Sequence, residues 1–293
     1  MNTTLENAKA LAGIQAEKID TSRLGHYDLH VQLGAGRLLY AVAEHRKNRC
    51  AVLEEYPLHP PRDYSDAMNQ LGNILDSSEV LRLEGWRSLR PAFTVSKFSL
   101  VPEALFEESL APEYLRLLAP AEPEDEEVLF HSHKAGFVTV YAANKRMLGF
   151  FRSSFGPDVM PLPHTALLAE GCLHLAEQNP GKAVLLLKSE AEHATICAAK
   201  DGSLLFCNIF PCTTGADTAY YALLAAKELD LNPSELLLYV CGELNQTSPA
   251  FTRLLQYFRN LAFVPRPAFI QLGKEFSDMD VVKYYDLFCM NLI

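Results

Sequence analysis

The sequence lacks the short motifs that mark several large enzyme classes. It contains no Gly-x-Ser-x-Gly elbow and no Gly-Lys-Ser or Gly-Lys-Thr loop. Because the first motif exposes a nucleophilic serine and the second cradles phosphate, a serine hydrolase of that type and a P-loop nucleotidase are excluded. The seven cysteines include no Cys-x-x-Cys pair, which argues against a zinc ribbon or a thioredoxin-like redox site.

Long hydrophobic runs are also missing. The best candidates, at 183–187 and 236–241, fall far short of the ~20 apolar residues that a membrane helix needs, so no membrane insertion is expected. Charged residues interrupt positions 1–20, so no signal peptide is predicted. Scattered cysteines in apolar stretches predict reduced, buried thiols and a cytoplasmic location.

Positive charge is scarce relative to negative charge. The 293 residues carry 26 Lys and Arg against 36 Asp and Glu, a net charge of −10. This balance opposes binding to nucleic acid or to an anionic membrane. A hydrophobic fraction of 49% is typical of a globular protein, and the length favours two domains.

The first half of the sequence predicts a strand meander followed by a helix. Stretches at 30–33, 37–44 and 49–56, broken at 34–36 and 46–48, indicate three antiparallel strands. Apolar spacing from Tyr64 to Leu75 predicts a helix capped by Asp63 or Ser65. The pattern further predicts, in order, a strand at 92–100, a helix at 102–118 broken by Pro112, an exposed acidic loop at 119–127, and strands at 128–132 and 136–142.

The second half repeats this order. Residues 144–155 fit either a helix or the return strand of a hairpin, and a helix at 163–177 ends before Asn179-Pro-Gly181. The remaining predicted elements are strands at 183–188, 193–199 and 204–210, a helix ending at 229, a strand at 235–241, a helix at 249–258, a short strand at 269–272 and a terminal helix at 280–291. We interpret the repeated order as an internal duplication, with domains at 1–180 and 181–293.

Several segments of the second half carry a family resemblance. Residues 210–218, with the helix after them, resemble the junction after the second phosphate hairpin in actin homologues of the type IV pilus and the bacterial divisome. Residues 237–249 resemble their adenosine-binding turn, and 137–145 with 163–177 resemble their interdomain part. The whole chain is similar to a Bacteroidetes family, domain of unknown function 3822. This resemblance implies an α/β, duplicated RNase H-like and actin-like fold, with two βββαβαβα subdomains around a cleft.

The resemblance also implies positions for a nucleotide, and there the motifs are degenerate. Family members carry an Asp in each phosphate hairpin for Mg²⁺, next to small residues. Gln32 stands at the first Asp position, and the second hairpin, 185–193, has no Asp-x-Gly. The residues implied for the degenerate nucleotide site are Gln32, Gly34, Gly36, Ser189, Gly215 and Gly242. No catalytic or metal-binding residue is predicted.

Four other patterns have simpler interpretations. The strands at 30–33 and 183–188 contain no Asp or Glu, which excludes the two-metal chemistry of RNase H-like nucleases. His131 and His133 share one strand face, but the sequence supplies no third ligand nearby, so a solvent-facing pair is favoured. Cys207 and Cys212 are interpreted as core thiols rather than a redox pair. The acidic loop at 119–127 is interpreted as solvated rather than as a docking segment.

The sequence thus favours a non-catalytic interaction or scaffold protein without a cofactor, with a protein partner. The alternative is an ATPase or small-molecule kinase of the actin, Hsp70 and sugar-kinase superfamily, which would bind ATP and Mg²⁺. The two hypotheses differ in whether a carboxylate stands where Mg²⁺ would bind.

Overall fold

A computed structural model describes residues 10–34, 36–116, 118 and 120–293. Their contacts group them into two units. The first unit comprises the described residues up to Thr94, Arg146–Leu162 and Ala268–Met279; the second comprises Val95–Lys145, Pro163–Pro267 and Asp280–Ile293. The boundary at 180/181 was drawn from the order of elements and stays a prediction.

Strands and helices alternate along the described chain. The strands are β1 (Ala12–Gln15), β2 (Tyr27–Gly34), β3 (Arg37–Glu44), β4 (Arg49–Pro57), β5 (Ser88–Phe93), β6 (Phe98–Pro102), β7 (Glu126–His133), β8 (Phe137–Asn144), β9 (Leu162–Pro163), β10 (Val184–Ser189), β11 (His193–Lys200), β12 (Ser203–Pro211), β13 (Leu237–Gly242), β14 (Asn260–Phe263) and β15 (Gln271–Leu272). The helices are α1 (Tyr64–Ser77), α2 (Ala111–Arg116), α3 (Lys145–Phe155), α4 (His164–Glu177), α5 (Gly215–Glu228), α6 (Pro249–Leu254) and α7 (Tyr285–Cys289). Short 3₁₀ turns lie at Thr21–His26, Glu103–Leu105, Glu108–Leu110, Lys274–Phe276 and Val281–Tyr284.

The first unit is built on a sheet in the order β1-β4-β3-β2-β5, with β15 also paired to β4. The predicted meander is confirmed as β2, β3 and β4, and α1 begins after Asp63, whose side chain accepts the Asp66 N–H. The single strand predicted at 92–100 is wrong. Two strands, β5 and β6, occupy that region, and they belong to different sheets. Apolar and polar residues alternate at the end of β5, in the linker after it and in β6, so periodicity did not separate the two strands.

The second unit contains a sheet in the order β12-β11-β10-β13-β14. A meander is followed by a helix and then by a strand parallel to the first strand of the meander, which repeats the arrangement β4-β3-β2-β5. Every residue of β10 from Val184 to Leu187 is fully buried, as its continuous apolar run predicts. In β13 only one face is buried at its start, since Leu237 and Tyr239 are half-buried. The strand β14 was not predicted.

A smaller sheet, β6-β8-β7, also belongs to the second unit. The short helix α2 packs Ala111 and Leu115 against Val138 and Val140 of β8. Pro112 was predicted to break a longer helix, and this is wrong. It lies in the first turn of α2, where a missing N–H costs no hydrogen bond.

The remaining sequence predictions concern length and burial. Helix α6 and the terminal helix are shorter than expected, because a 3₁₀ turn precedes α7 and α6 ends at Leu254. Residues 144–155, which fitted either a helix or a strand, contain the helix α3. All seven cysteines are unpaired and buried, as predicted. In the described part of the chain, no helix has the length and apolarity required to cross a bilayer.

Candidate functional site

The first hairpin, in the first unit, carries three of the predicted positions. Gln32 lies buried in β2, and Gly36 forms the turn with φ +69°. A Cβ on Gly34 would lie 2.1 Å from the Thr94 hydroxyl oxygen, so close packing against Thr94 accounts for this glycine without a phosphate. Ala35, between these two glycines, lies outside the described residues.

An apolar cavity of about 300 Å³ borders this hairpin. Leu33, Gly34 and Gly36 line one side, and the other side is formed by residues that include Leu58, Pro60, Pro61, Leu71 and Met147. No Asp, Glu, Lys or Arg is among its described lining residues. Its polar lining residues are His59 and Gln70, and the Gln70 amide is hydrogen-bonded to the His59 backbone. Because the lining supplies no carboxylate for Mg²⁺ and no Lys or Arg for phosphate, this mostly apolar cavity suits an apolar group instead.

Polar side chains are buried on β2 itself. Asp28, His30 and Gln32 alternate along one face, and Arg87 donates to Asp28 at 2.6 Å. Burial lowers the pKa of His30 to about 3, and the positive charges of Arg90 and Arg87 act in the same direction. The imidazole is therefore neutral near pH 7, and its low pKa makes it a weak proton acceptor.

The second hairpin, in the second unit, brings two predicted positions together. Ser189 ends β10 and pairs in register with Gly242 of the parallel strand β13. Gly242 has φ +86°, and a Cβ there would lie 2.2 Å from the Ser189 carbonyl oxygen. The same oxygen accepts the Glu243 N–H at 2.9 Å. Ser189 and Gly242 thus close a backbone turn by direct contact.

Replacing Gly242 with Ala is expected to destabilise the second unit. The positive φ costs an L-residue about 1 kcal/mol, and the clash with Ser189 adds to it, so we expect a loss of about 2–4 kcal/mol. Chemical denaturation measures this loss. Gly202→Ala is a matched control, because Gly202 has φ +76° but no neighbour within 4 Å of the added Cβ. Equal losses in the two variants would contradict the close-contact explanation.

Gly215 begins α5, at the position that the resemblance assigns to the nucleotide. A Cβ on it would lie 2.6 Å from the Ala250 backbone nitrogen, so this glycine permits the starts of α5 and α6 to touch. The N-terminus of α5 carries a capping box, in which the Thr214 hydroxyl accepts the Asp217 N–H at 3.2 Å and the Asp217 carboxylate accepts the Thr214 N–H at 2.8 Å. Hydrogen bonds from Thr214 and Thr213 hold the pKa of Asp217 below its ordinary value. An anion at this helix end would meet the Asp217 carboxylate.

A buried ion network lies at the base of the second hairpin. The Lys188 ammonium contacts Asp286 at 2.5 Å and Glu190 at 3.1 Å, and all three side chains are at most 3% exposed. Burial lowers the pKa of Lys188, but the two carboxylates outweigh it and hold that pKa above its ordinary value. Burial alone would raise the pKa of Glu190. The positive charge of Lys188 and the hydrogen bond with His193 outweigh burial, so the pKa of Glu190 lies below its ordinary value. Only Asp286 lies far away in sequence, and sequence reasoning missed it.

His164, Glu190 and His193 meet beside this network. Their ligand atoms lie within 4.8 Å of one another, a set that Zn²⁺ accepts in other proteins. However, His164 Nδ1 accepts the Val95 N–H at 3.2 Å, so its proton sits on Nε2, 3.2 Å from the Thr195 hydroxyl. A protonated nitrogen cannot ligate a metal. The hydrogen bonds therefore favour a structural histidine over a metal ligand.

The prediction of a solvent-facing pair at His131 and His133 is wrong for His133. Its ring is buried, with Nδ1 at 2.5 Å from Glu170 and Nε2 at 2.9 Å from the Thr139 hydroxyl. The order acid, histidine, hydroxyl resembles a catalytic triad. Thr139 is fully buried, so a substrate cannot reach its hydroxyl. We assign the three residues to packing between β7, β8 and α4.

Sequence spacing paired Cys207 with Cys212, but in the structure a different cysteine lies next to Cys207. Cys207 lies directly opposite Cys197 across β11 and β12, and the two sulfur atoms are 3.2 Å apart. Both thiols are buried. Burial raises the pKa of Cys197 well above its ordinary value, with Cys207 adding to the shift. A thiol is a poor nucleophile in that state, which agrees with a core position.

Comparison with known proteins identifies the fold. A structure of a Bacteroides thetaiotaomicron protein with an actin-like ATPase fold and unknown function matches with a TM-score of 0.78 and 18% identity, over 94% of this chain and all of that one. The PilM–PilN type IV pilus biogenesis complex contains a chain that matches with a TM-score of 0.62 and 16% identity, over 90% of this chain and 97% of that one. The predicted α/β, actin-like fold is thus confirmed.

Sequence comparison gives a family as well. No curated protein shows a significant match. The model of the family described as "protein of unknown function (DUF3822)" matches residues 16–261, which is most of the chain. The protein therefore belongs to the DUF3822 family.

Proposed function

We propose that this protein is a non-catalytic interaction or scaffold protein on a degenerate actin-like ATPase fold, without a nucleotide cofactor. The observation that carries the proposal is the cavity beside the first hairpin, where the superfamily has a phosphate-binding turn, because its described lining contains no Asp, Glu, Lys or Arg. Substitution of Gln32 for the expected Asp fits the same conclusion, because an amide supplies no anionic charge to a metal.

Two features of the second unit support the proposal. Lys188 is held by Asp286 and Glu190, and the N-terminus of α5 is capped by Thr214 and Asp217. A buried ammonium and a helix N-terminus can each bind a phosphate, and here both are engaged with the chain itself. The similar PilM chain was solved in a complex with PilN, which supports a protein partner for this fold. Seven unpaired, buried cysteines support a reducing location such as the cytoplasm.

One observation favours the alternative, an ATPase or small-molecule kinase. Glu192 lies exposed in the turn of the second hairpin, between β10 and β11. A carboxylate at this position is the type of ligand that Mg²⁺ binds. This residue makes the two functions experimentally separable.

Mg·ATP is expected to leave the thermal stability of the protein unchanged. A ligand at a hundred times its Kd adds about 2.7 kcal/mol, several degrees in Tm for a chain of this size. The measurement is thermal unfolding with Mg·ATP, compared with Mg²⁺ alone and ATP alone. An upward shift that requires both would overturn the proposal in favour of the enzyme, and its disappearance in Glu192→Gln would identify Glu192 as the metal-binding carboxylate.

A further inference from the structure

Three large apolar side chains are exposed in the small β6-β8-β7 part of the second unit, and one of them, Leu118, follows α2 and is 71% exposed. Leu105 is 71% exposed and Leu110 is 44% exposed, each at the end of a 3₁₀ turn. Their neighbours Ala111 and Leu115 are buried in the core of this part, so the segment is folded and not merely loose. Folding alone does not explain two leucines left in water so close in sequence.

Tyr114 ties the turn that carries Leu105 to α2. Its hydroxyl donates to the Leu105 carbonyl oxygen at 2.8 Å and accepts the Glu107 N–H at 3.0 Å. Leu110 precedes Tyr114 by one helical turn, since the backbone passes directly from its 3₁₀ turn into α2. We name Leu105, Leu110 and Tyr114 the α2 surface.

Acidic side chains surround the α2 surface. Glu103, Glu107, Glu108 and Glu113 are all exposed, and Arg116 pairs with Glu113. Residues 95–145 contain nine Asp and Glu against four Lys and Arg, so this part holds half of the net charge of −10. An apolar centre with a charged rim is the usual composition of a protein-binding surface.

We propose that the α2 surface binds a basic, amphipathic segment of a partner protein, with apolar side chains on the leucines and Lys or Arg on the rim. The inference rests on the proposed interaction function and names the chemistry of its partner. Charge selects this occupant. A second copy of this acidic chain, an anionic lipid surface and a nucleic acid would each bring negative charge to a negative rim.

The test uses a fluorescein-labelled synthetic peptide of Leu and Lys at helical spacing as the probe, followed by fluorescence anisotropy. The comparison peptides are a scrambled version without an apolar face and a Leu and Glu version. We expect the full chain to bind the probe and neither comparison peptide. Leu105→Ser with Leu110→Ser, and separately Glu107→Gln with Glu108→Gln, should each weaken binding by about tenfold or more.

Leu255→Ser is the matched control, because Leu255 is 54% exposed elsewhere in the same unit. It should bind the probe as the unchanged protein does, and all variants should melt alike, since each substituted side chain is exposed. Higher salt should weaken binding, because it screens the attraction between the acidic rim and the Lys side chains of the probe.

Three results would overturn the inference. They are no binding of the probe, equal binding by the leucine variant, or self-association in sedimentation that the leucine substitutions abolish. The last result would assign the surface to a second copy. If the peptide does not bind and Mg·ATP does not stabilise the protein, only this inference fails and the scaffold proposal stands. If Mg·ATP stabilises the protein, the scaffold proposal fails, whether or not the peptide binds.

Discussion

Replacing Leu186 with Asp is expected to abolish the yield of folded protein. Leu186 is fully buried in the centre of β10, between Cys197 of β11 and Tyr239 of β13. An isolated buried carboxylate costs several kcal/mol at least, comparable with the total stability of about 5–15 kcal/mol of a typical domain. Lys188 follows on the same face, but its single positive charge is already paired with two carboxylates, so it cannot neutralise a third.

The measurement is soluble expression followed by thermal unfolding. Leu205→Asp is the matched control, because Leu205 is 43% exposed in β12 of the same sheet, and its yield should be normal. Normal yield and melting of the Leu186 variant would refute the central placement of β10.

Replacing Lys188 with Met is expected to lower the free energy of unfolding by about 3–5 kcal/mol near neutral pH. The reason is that Glu190 and Asp286 would remain buried without their shared cation. A triple variant that adds Glu190→Gln and Asp286→Asn should recover most of the loss, because it removes the unpaired charges together. Lys200→Met, at the exposed end of β11, is the control and should change little.

The pH dependence of the Lys188 variant provides an independent check. In the unchanged protein the folded pKa of Glu190 lies below its ordinary value of 4.5, so its stabilising contribution is present above that pH and shrinks as the pH falls. In the variant, burial without the ammonium raises the carboxylate pKa, so acidification relieves the destabilisation. The difference in the free energy of unfolding between the unchanged protein and the Lys188→Met variant should therefore become smaller at low pH. A difference that is independent of pH would show that packing, not charge, accounts for the loss.

Local patterns in the sequence determined much of the fold. Sequence alone predicted the meander of β2, β3 and β4, the cap of α1 at Asp63 and the buried strand β10. These predictions succeeded because periodicity and capping act over a few residues. The repeated order of elements was readable for the same reason. The failures at 92–100 and Pro112 also have a local cause, because short apolar stretches and first-turn prolines fit more than one element.

Tertiary structure decided what the predicted nucleotide positions do. The sequence by itself placed Gln32 where the family resemblance implies an Asp, and it showed that the second hairpin has no Asp-x-Gly. It did not indicate that Gly34 packs on Thr94, nor that Asp286 neutralises Lys188 from 98 residues away. The burial of His133 against Glu170 was equally hidden. Such contacts depend on strand register and on helices distant in sequence, and a buried charge pairs with whichever partner the packed chain brings near.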